Sequence, residues 1–211
     1  MIITKIKRIG ATSRFNLYVD EEYCGVFIDE ILATYKLKTD MEIDEADFKQ
    51  IKEENDKRVA FDMAASYVEK YNVSEKGLKD YLKRKGFSAQ VVTYALEKMR
   101  EYGFVDDEKF ARNYFESLSH SKGKRAIANK LKEKGIKTEI IDQLLENVED
   151  EDELEKAIVL ANKFVKNRQN DTKCKQKCIA HLIYKGYDYS VAQQSATIAL
   201  KDIGEIQDDW D

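Results

Sequence analysis

No stretch of apolar residues in this chain approaches the ~18 that a membrane-spanning helix needs. The start, Met1-Ile2-Ile3-Thr4-Lys5, lacks the long apolar core of a secretory signal. A cytoplasmic location and no membrane contact are therefore expected. Proline is absent altogether. The three cysteines are odd in number and widely spaced, which fits reduced thiols better than a disulfide frame. Neither G-x-x-x-x-G-K-[ST] nor G-x-G-x-x-G occurs, so no phosphate-cradling loop is present. The only histidines are His120 and His181. His120 lies in Ser119-His120-Ser121-Lys122-Gly123, read as an interhelix loop, and a serine beside a histidine is no triad without geometry and a third group. No catalytic residue and no cofactor is assigned, and nothing argues for an enzyme.

Cys174, Cys178 and His181 stand at i, i+4 and i+7 and so share one helix face. Only three ligand types are local, and Cys178 falls on a core position of the repeat described next. A buried, inert cysteine is the expectation, since a free thiol packs as a small hydrophobe, and no metal site is assigned.

What the chain does have is a phrase used three times: Leu82-Lys83-Arg84-Lys85-Gly86-Phe87, Leu131-Lys132-Glu133-Lys134-Gly135-Ile136 and Leu182-Ile183-Tyr184-Lys185-Gly186-Tyr187. The glycines recur about every 50 residues, the mark of a duplicated supersecondary unit. The phrase ends a helix. Glycine takes the left-handed conformation freely, and the residue after it folds back on the last turn. The predicted pairs are Phe87 on Leu82, Ile136 on Leu131 and Tyr187 on Leu182; Gly103 ends the first copy likewise, with Phe104 on Met99. Ser88 and Asp188 are predicted N-caps, Thr138 serves in the second copy, and Phe87 staples to Val92. Apolar residues match on both sides: Leu78, Ile127 and Cys178 before the phrase, then Val91-Val92, Ile140-Ile141 and Val191-Ala192 after it. Spacings of three and four predict amphipathic helices. A further helix precedes each pair, at roughly 57–72, 107–119 and 152–167.

Residues 1–28 differ in kind. Phe15–Val19 and Tyr23–Ile28 are rich in aromatic and β-branched residues, with Asp20-Glu21-Glu22 as the turn between them. Two or three antiparallel strands are predicted, packed on a helix. A short helix follows at 29–36 and an acidic one starts near Asp44. The run Lys52–Lys57 is polar on all sides; it is either a solvated helix or the boundary of the array.

The fold class is thus mainly α, with three tandem three-helix repeats and a small N-terminal antiparallel sheet. The divisions are 1–43, the sheet and short helix; 44–104, a linker helix and repeat one; 105–150, repeat two; 151–204, repeat three; and 205–211, an acidic tail.

The formal net charge is −4, which argues against bulk attraction to nucleic acid, but the cations are segregated. Lys76, Lys79, Lys83, Arg84 and Lys85 crowd the second helix of copy one. Lys122, Lys124, Arg125, Lys130, Lys132, Lys134 and Lys137 crowd that of copy two, and Lys173, Lys175, Lys177 and Lys185 that of copy three. Singly each lysine is a solvated side chain. Together they predict a basic stripe suited to phosphate or to an acidic protein groove. The binding residues assigned are Lys79, Lys83, Arg84, Lys122, Lys124, Arg125, Lys130, Lys132, Lys173 and Lys177.

Over roughly residues 58–200 these motifs resemble the RecX family, regulators of the RecA recombinase. The most specific stretch, Phe104-Val105-Asp106-Asp107-Glu108-Lys109-Phe110-Ala111-Arg112-Asn113-Tyr114, is similar to the family's G-[FLY]-[LIV]-[DN]-D-x-x-[FY]-A segment. Ser121–Ile127 is similar to its K-G-x-x-x-I turn, Leu131–Ile136 to L-x-x-K-G-[IV], and Ser74–Leu82 to S-x-x-[ED]-L-x-x-x-L. The resemblance implies an elongated, curved, monomeric and non-enzymatic protein. It would lie in the groove of the RecA–DNA filament and limit its growth, ATPase, strand-exchange or coprotease activity in DNA repair and the SOS response. Several members also contact DNA, so weak binding to single- or double-stranded DNA is a further expectation. Gly77 stands where the family carries an acidic residue, and copy three has Cys178 and Ala196 at core positions. The acidic net charge bears against independent DNA binding. The alternative is a stand-alone DNA-binding protein of tandem helix-turn-helix-like units; its helices offer mainly lysine, which does not read base edges.

Overall fold

The computed structural model describes residues 1–166, 168 and 171–208; of the acidic tail assigned to 205–211, Asp209, Trp210 and Asp211 lie outside the described residues. The chain forms two compact units, 1–106 and 107–211.

The first unit opens with β1 (Ile2–Arg8), β2 (Arg14–Val19) and β3 (Glu22–Ile28), then α1 (Asp29–Thr34) and a two-residue β4 (Met41–Glu42). The sheet is antiparallel with order β3-β2-β1-β4. The sheet has a fourth strand, β4, where two or three strands are predicted; two residues carry no periodicity to betray them. The β2–β3 turn is Asp20-Glu21, with φ +48° and +69°. Both residues sit in the left-handed region that a two-residue hairpin requires. They are braced from outside, because Ile2 N–H donates to Asp20 Oδ1 (2.8 Å) and Glu21 N–H to Thr4 Oγ1 (3.0 Å).

Ile3, Leu17, Phe27 and Ile31 are fully buried under α2 (Glu45–Lys70), whose Phe48 stacks on Phe27 at 6.2 Å. α2 is one continuous helix, so the linker helix and the first repeat helix are the same element. The polar run 52–57 is part of it, neither wholly solvated nor a boundary: Asn55 is 0% exposed. Its amide accepts from Ile28 N–H (3.0 Å) and donates to Val26 C=O (2.8 Å). One side chain thereby does for the edge of β3 what a neighbouring strand would do, and closes a sheet edge that would otherwise template association. With α3 (Glu75–Arg84) and α4 (Ala89–Glu101), α2 completes repeat one around Leu78, Leu82, Val92, Ala95 and Met99.

The second unit holds repeat two, α5 (Asp107–Ser119), α6 (Lys124–Glu133) and α7 (Thr138–Glu146), and repeat three, α8 (Asp150–Val165), α9 (Cys174–Tyr184) and α10 (Tyr189–Asp208). Ile127 and Leu131 centre one core; Cys178, Leu182 and Tyr187 centre the other.

The phrase behaves as a helix stop in all three copies. Gly86, Gly135 and Gly186 have φ +87°, +83° and +95°. The residue after each donates its N–H to the carbonyl of the phrase leucine, at 3.4, 3.1 and 3.1 Å, while glycine N–H bonds the next carbonyl along. That double closure satisfies two of the carbonyls a helix end leaves open. Ser88 caps α4 through Val91 N–H. Two local expectations fail. α7 starts at Thr138 with Lys137 in the cap position and no side-chain cap bond, so Thr138 is inside the helix. Phe104 N–H does reach Met99 C=O (2.9 Å), but its ring stays out against Tyr102, and Val105 takes the interior place.

Candidate interaction surface

The assigned basic residues fall into different settings. On α3, Leu78 and Leu82 face the core, which leaves Lys79, Lys83 and Arg84 exposed in the first unit. On α6, Arg125 and Lys132 are exposed two turns apart on one face, and Lys130 is half-buried beside Leu131. Lys173, at the N-cap position of α9, and Lys177, within it, are both exposed. Lys177 Nζ binds Asp171 Oδ2 at 2.6 Å, and this bond above all holds the Asp171 carboxyl below its usual range.

Lys124 differs from its neighbours. Its ammonium donates to Val148 C=O (2.9 Å) and lies 3.6 Å from Glu153, and its side chain is 20% exposed against 9% for Glu153. The Lys124 backbone N–H also donates to Glu153 Oε1 (2.9 Å). Glu153, from the acidic start of α8, therefore acts as an N-cap for α6 and neutralises the lysine beside it. Lys124 is consumed in joining repeats two and three, so its charge does not stand on the surface beside Arg125.

That joint continues through the backbone. Gly123 N–H donates to Lys185 C=O (3.0 Å), and Arg125 N–H to Gly186 C=O (3.2 Å). The amino end of α6 is thereby set against the carboxyl end of α9, where unpaired donors meet unpaired acceptors and the helix dipoles are complementary. The approach leaves no room for side chains. A Cβ on Gly123 would stand 2.5 Å from Gly186 O, and one on Gly186 would stand 2.4 Å from Ala126 Cβ. Arg125 crosses the joint to Asp188 at 3.2 Å, with both side chains largely in solvent.

This packing brings Lys122 and Arg125 to the α9–α10 turn, where the surface is apolar and aromatic. Tyr184 is 85% exposed, Tyr189 61% and Ile183 44%. Exposed tyrosines have the composition of protein-interface anchors. None of the three was assigned from sequence, although a signal was present. Ile183 and Tyr184 align with Lys83-Arg84 and Lys132-Glu133, positions that are charged and hence solvent-facing in the other copies.

Cys174 and Cys178 are buried in the repeat-three core, and burial pushes the Cys178 thiol up to about 11, so it stays protonated and inert. His181 lies flat on Phe164 (4.8 Å), with its pKa lowered by burial and then by Lys185 and Arg168. Among the described residues no group of acidic, histidine and cysteine side chains could hold a metal ion, and no helix is long and apolar enough to cross a membrane.

Family models match the chain in three places: the regulatory protein RecX N-terminal domain at 1–44, the RecX second three-helix domain at 106–145 and the RecX third three-helix domain at 150–194. A "Regulatory protein RecX" of Listeria monocytogenes serotype 4a is 34% identical over 202 residues, covering 94% of this chain and 75% of that protein. One from Clostridium perfringens (strain 13 / Type A) is 34% identical, covering 84% and 85%. A crystal structure of regulatory protein RecX has TM-score 0.68 at 26% identity, over 95% of this chain and 98% of that one. RecX from Lactobacillus salivarius shares the fold, with TM-score 0.64 at 21% identity over 68% and 96%. The chain belongs to the RecX family of regulatory proteins.

Proposed function

We propose that this protein binds the RecA–DNA filament without catalysing a reaction and restrains its growth, ATPase, strand-exchange and coprotease activities during DNA repair in the cytoplasm. Family membership supports the partner. The observation that carries the contact site is the joint of repeats two and three. There Arg125 pairs with Asp188 of the α9–α10 turn, Tyr184, Tyr189 and Ile183 of the same stretch are exposed, and Lys132 and Lys177 are exposed on α6 and α9. Apolar anchors supply affinity once desolvated, and the surrounding cations steer the approach to an acidic or phosphate-lined groove. Lys130 and Lys173 belong to the proposed surface as peripheral charge; Lys79, Lys83 and Arg84 are proposed as a separate basic face of the first unit. Lys124 contributes to it only by holding the joint.

The test is RecA ATP hydrolysis on single-stranded DNA with the wild-type protein, with Tyr184→Ala and with Lys122→Glu/Arg125→Glu. Wild type should suppress hydrolysis at or below equimolar ratios, and both variants should need severalfold more protein. An unchanged hydrolysis rate and unchanged filament length with the wild type would sink the proposal. Lys124 must be left intact, because its loss would disturb folding and imitate a binding defect.

A further inference from the structure

The sheet of the first unit has two edges, and they are finished differently. Asn55 closes the β3 edge through its side chain. At the other edge β4 is two residues long and pairs with β1 on one side. The Met1 amino group donates to Ile43 C=O (3.2 Å) and Ile43 N–H to Met1 C=O (3.0 Å), while Ile2 turns its own backbone groups to Asp20. Strand alternation therefore points the Glu42 N–H and C=O outward, away from β1. Among the described residues no backbone bond to another segment takes them up. Beside that edge lies an open hollow of about 420 Å³, between β4 and the first two turns of α2. Leu37, Met41, Ile43 and Ile51 give it an apolar floor, and Glu42, Asp44 and Asp47 stand exposed at its rim. No lysine, arginine or histidine lines it.

Carboxylates at Asp44 and Asp47 suit the start of a helix. Glu42, on the strand, is not accounted for in that way. A charge on a sheet edge deters indiscriminate pairing. An acidic one repels a second copy of the same edge and admits a cationic strand. The outward backbone pair selects an extended segment over a helix, whose own backbone groups are already bonded within it. In a strand laid beside β4, successive side chains alternate between the two faces of the sheet. Those on the side of Met41 and Ile43 enter the hollow, and those between them meet Glu42.

We infer that the outer edge of β4, with the hollow beside it, is a docking site for an extended basic segment of a partner protein, in which apolar and cationic side chains alternate. The site is opposite in charge to the proposed filament-binding surface, lies in the first unit and does not rest on that reading.

The probe is a short fluorescein-labelled peptide of alternating lysine and leucine, titrated with the full-length protein and followed by anisotropy. Two controls have the same length. One carries glutamate in place of lysine; the other keeps the lysine–leucine sequence but is methylated on its backbone nitrogens, so it cannot complete a strand ladder. Wild type should bind the first peptide and neither control. Glu42→Gln/Asp47→Asn should bind it severalfold more weakly. Glu42→Pro, which also removes the outward N–H, should lose more than Glu42→Gln. Proline is tolerated on an edge strand where the N–H faces solvent, so circular dichroism should show every variant folded. Asp44 is left intact, because it caps α2 through Ala46 N–H. Equal binding of the methylated peptide, unchanged affinity in both Glu42→Pro and Glu42→Gln/Asp47→Asn, or no binding of the lysine–leucine peptide would overturn the site. A wild-type dimer in sedimentation that Glu42→Pro abolishes would assign the edge to a second copy, and would overturn it too.

Discussion

Gly86, at the end of α3, and Gly186, at the end of α9, hold the same place in the same phrase, with φ +87° and +95°. Around Gly86 nothing lies within 4 Å of where a Cβ would stand, whereas around Gly186 the Ala126 backbone and side chain fill that space. In the first unit the glycine is required by conformation alone. In the second it is required by conformation and by the approach of another repeat. Sequence repetition marks the shared role and is silent about the added one. Substitution separates them. Gly86→Ala should cost about 1–2 kcal/mol, the penalty of a left-handed non-glycine residue. Gly186→Ala should cost that and a further ~1–3 kcal/mol for overpacking against α6. Urea unfolding of the two variants gives the difference directly, and equal costs would mean that the joint yields freely.

The ion pair at the same joint ranks next. Lys124→Met removes a charged hydrogen bond to Val148 C=O and leaves Glu153 without its cation, and the expected loss is about 1–3 kcal/mol. Arg125→Met, one residue along, deletes a pair with both partners in solvent and should cost under ~1 kcal/mol. Thermal denaturation of the two variants would invert this order only if Arg125, not Lys124, holds the repeats together.

The contrast between these neighbours shows where sequence was readable. Helix stops, caps and cores were legible because leucine, glycine and serine at fixed spacings have local consequences: Leu131, Gly135 and Ser88 could be placed before any tertiary structure was known. Lys124 was misplaced because its partner, Glu153, is twenty-nine positions away, and a run of lysines looks alike whether it points outward or inward. Asn55 was hidden for the same reason, since a polar run gives no sign that one amide completes a distant strand edge. Tyr184 was overlooked although the repeat alignment encoded its exposure. Within its own copy Tyr184 looks like any helix-end residue, and only the charged residues at its place in the other copies mark it as solvent-facing.

Tyr187, the residue after Gly186, tests how polar the joint is. Its hydroxyl is buried without a protein partner, and burial, then Glu153, pushes its pKa up to about 12. The small chamber beside it, about 10 Å³, is lined by Lys122, Lys124, Glu153 and Lys156 as well as apolar groups. A chamber of that size accommodates at most about one water. With a hydrated hydroxyl, Tyr187→Phe should lower stability by about 1 kcal/mol. A rise in Tm would instead mean that the hydroxyl is buried bare. Phe87, its counterpart after Gly86, has no hydroxyl and poses no such problem.

The smallest expected effect concerns the residue before the phrase leucine, Tyr81 in the first unit and His181 in the second. Each stacks on a ring of the repeat's first helix, Tyr67 and Phe164 respectively. Only the histidine titrates near neutrality. Burial, then Lys185 and Arg168, lowers its pKa, so the folded protein binds its proton less readily than the unfolded chain does. The stability this contributes is complete above the ordinary histidine value of about 6.5 and is lost as pH falls through the folded value. Tm measured from about pH 7.5 down to about pH 5 should therefore decline more steeply for wild type than for His181→Phe, which keeps a ring on Phe164 and has no proton to take up. Tyr81→Phe, at the matching place in the first unit, should leave that slope as it is. A wild-type slope matching that of His181→Phe would mean that His181 is as free to protonate in the folded protein as in the unfolded one, and that the two stacked pairs differ in composition alone.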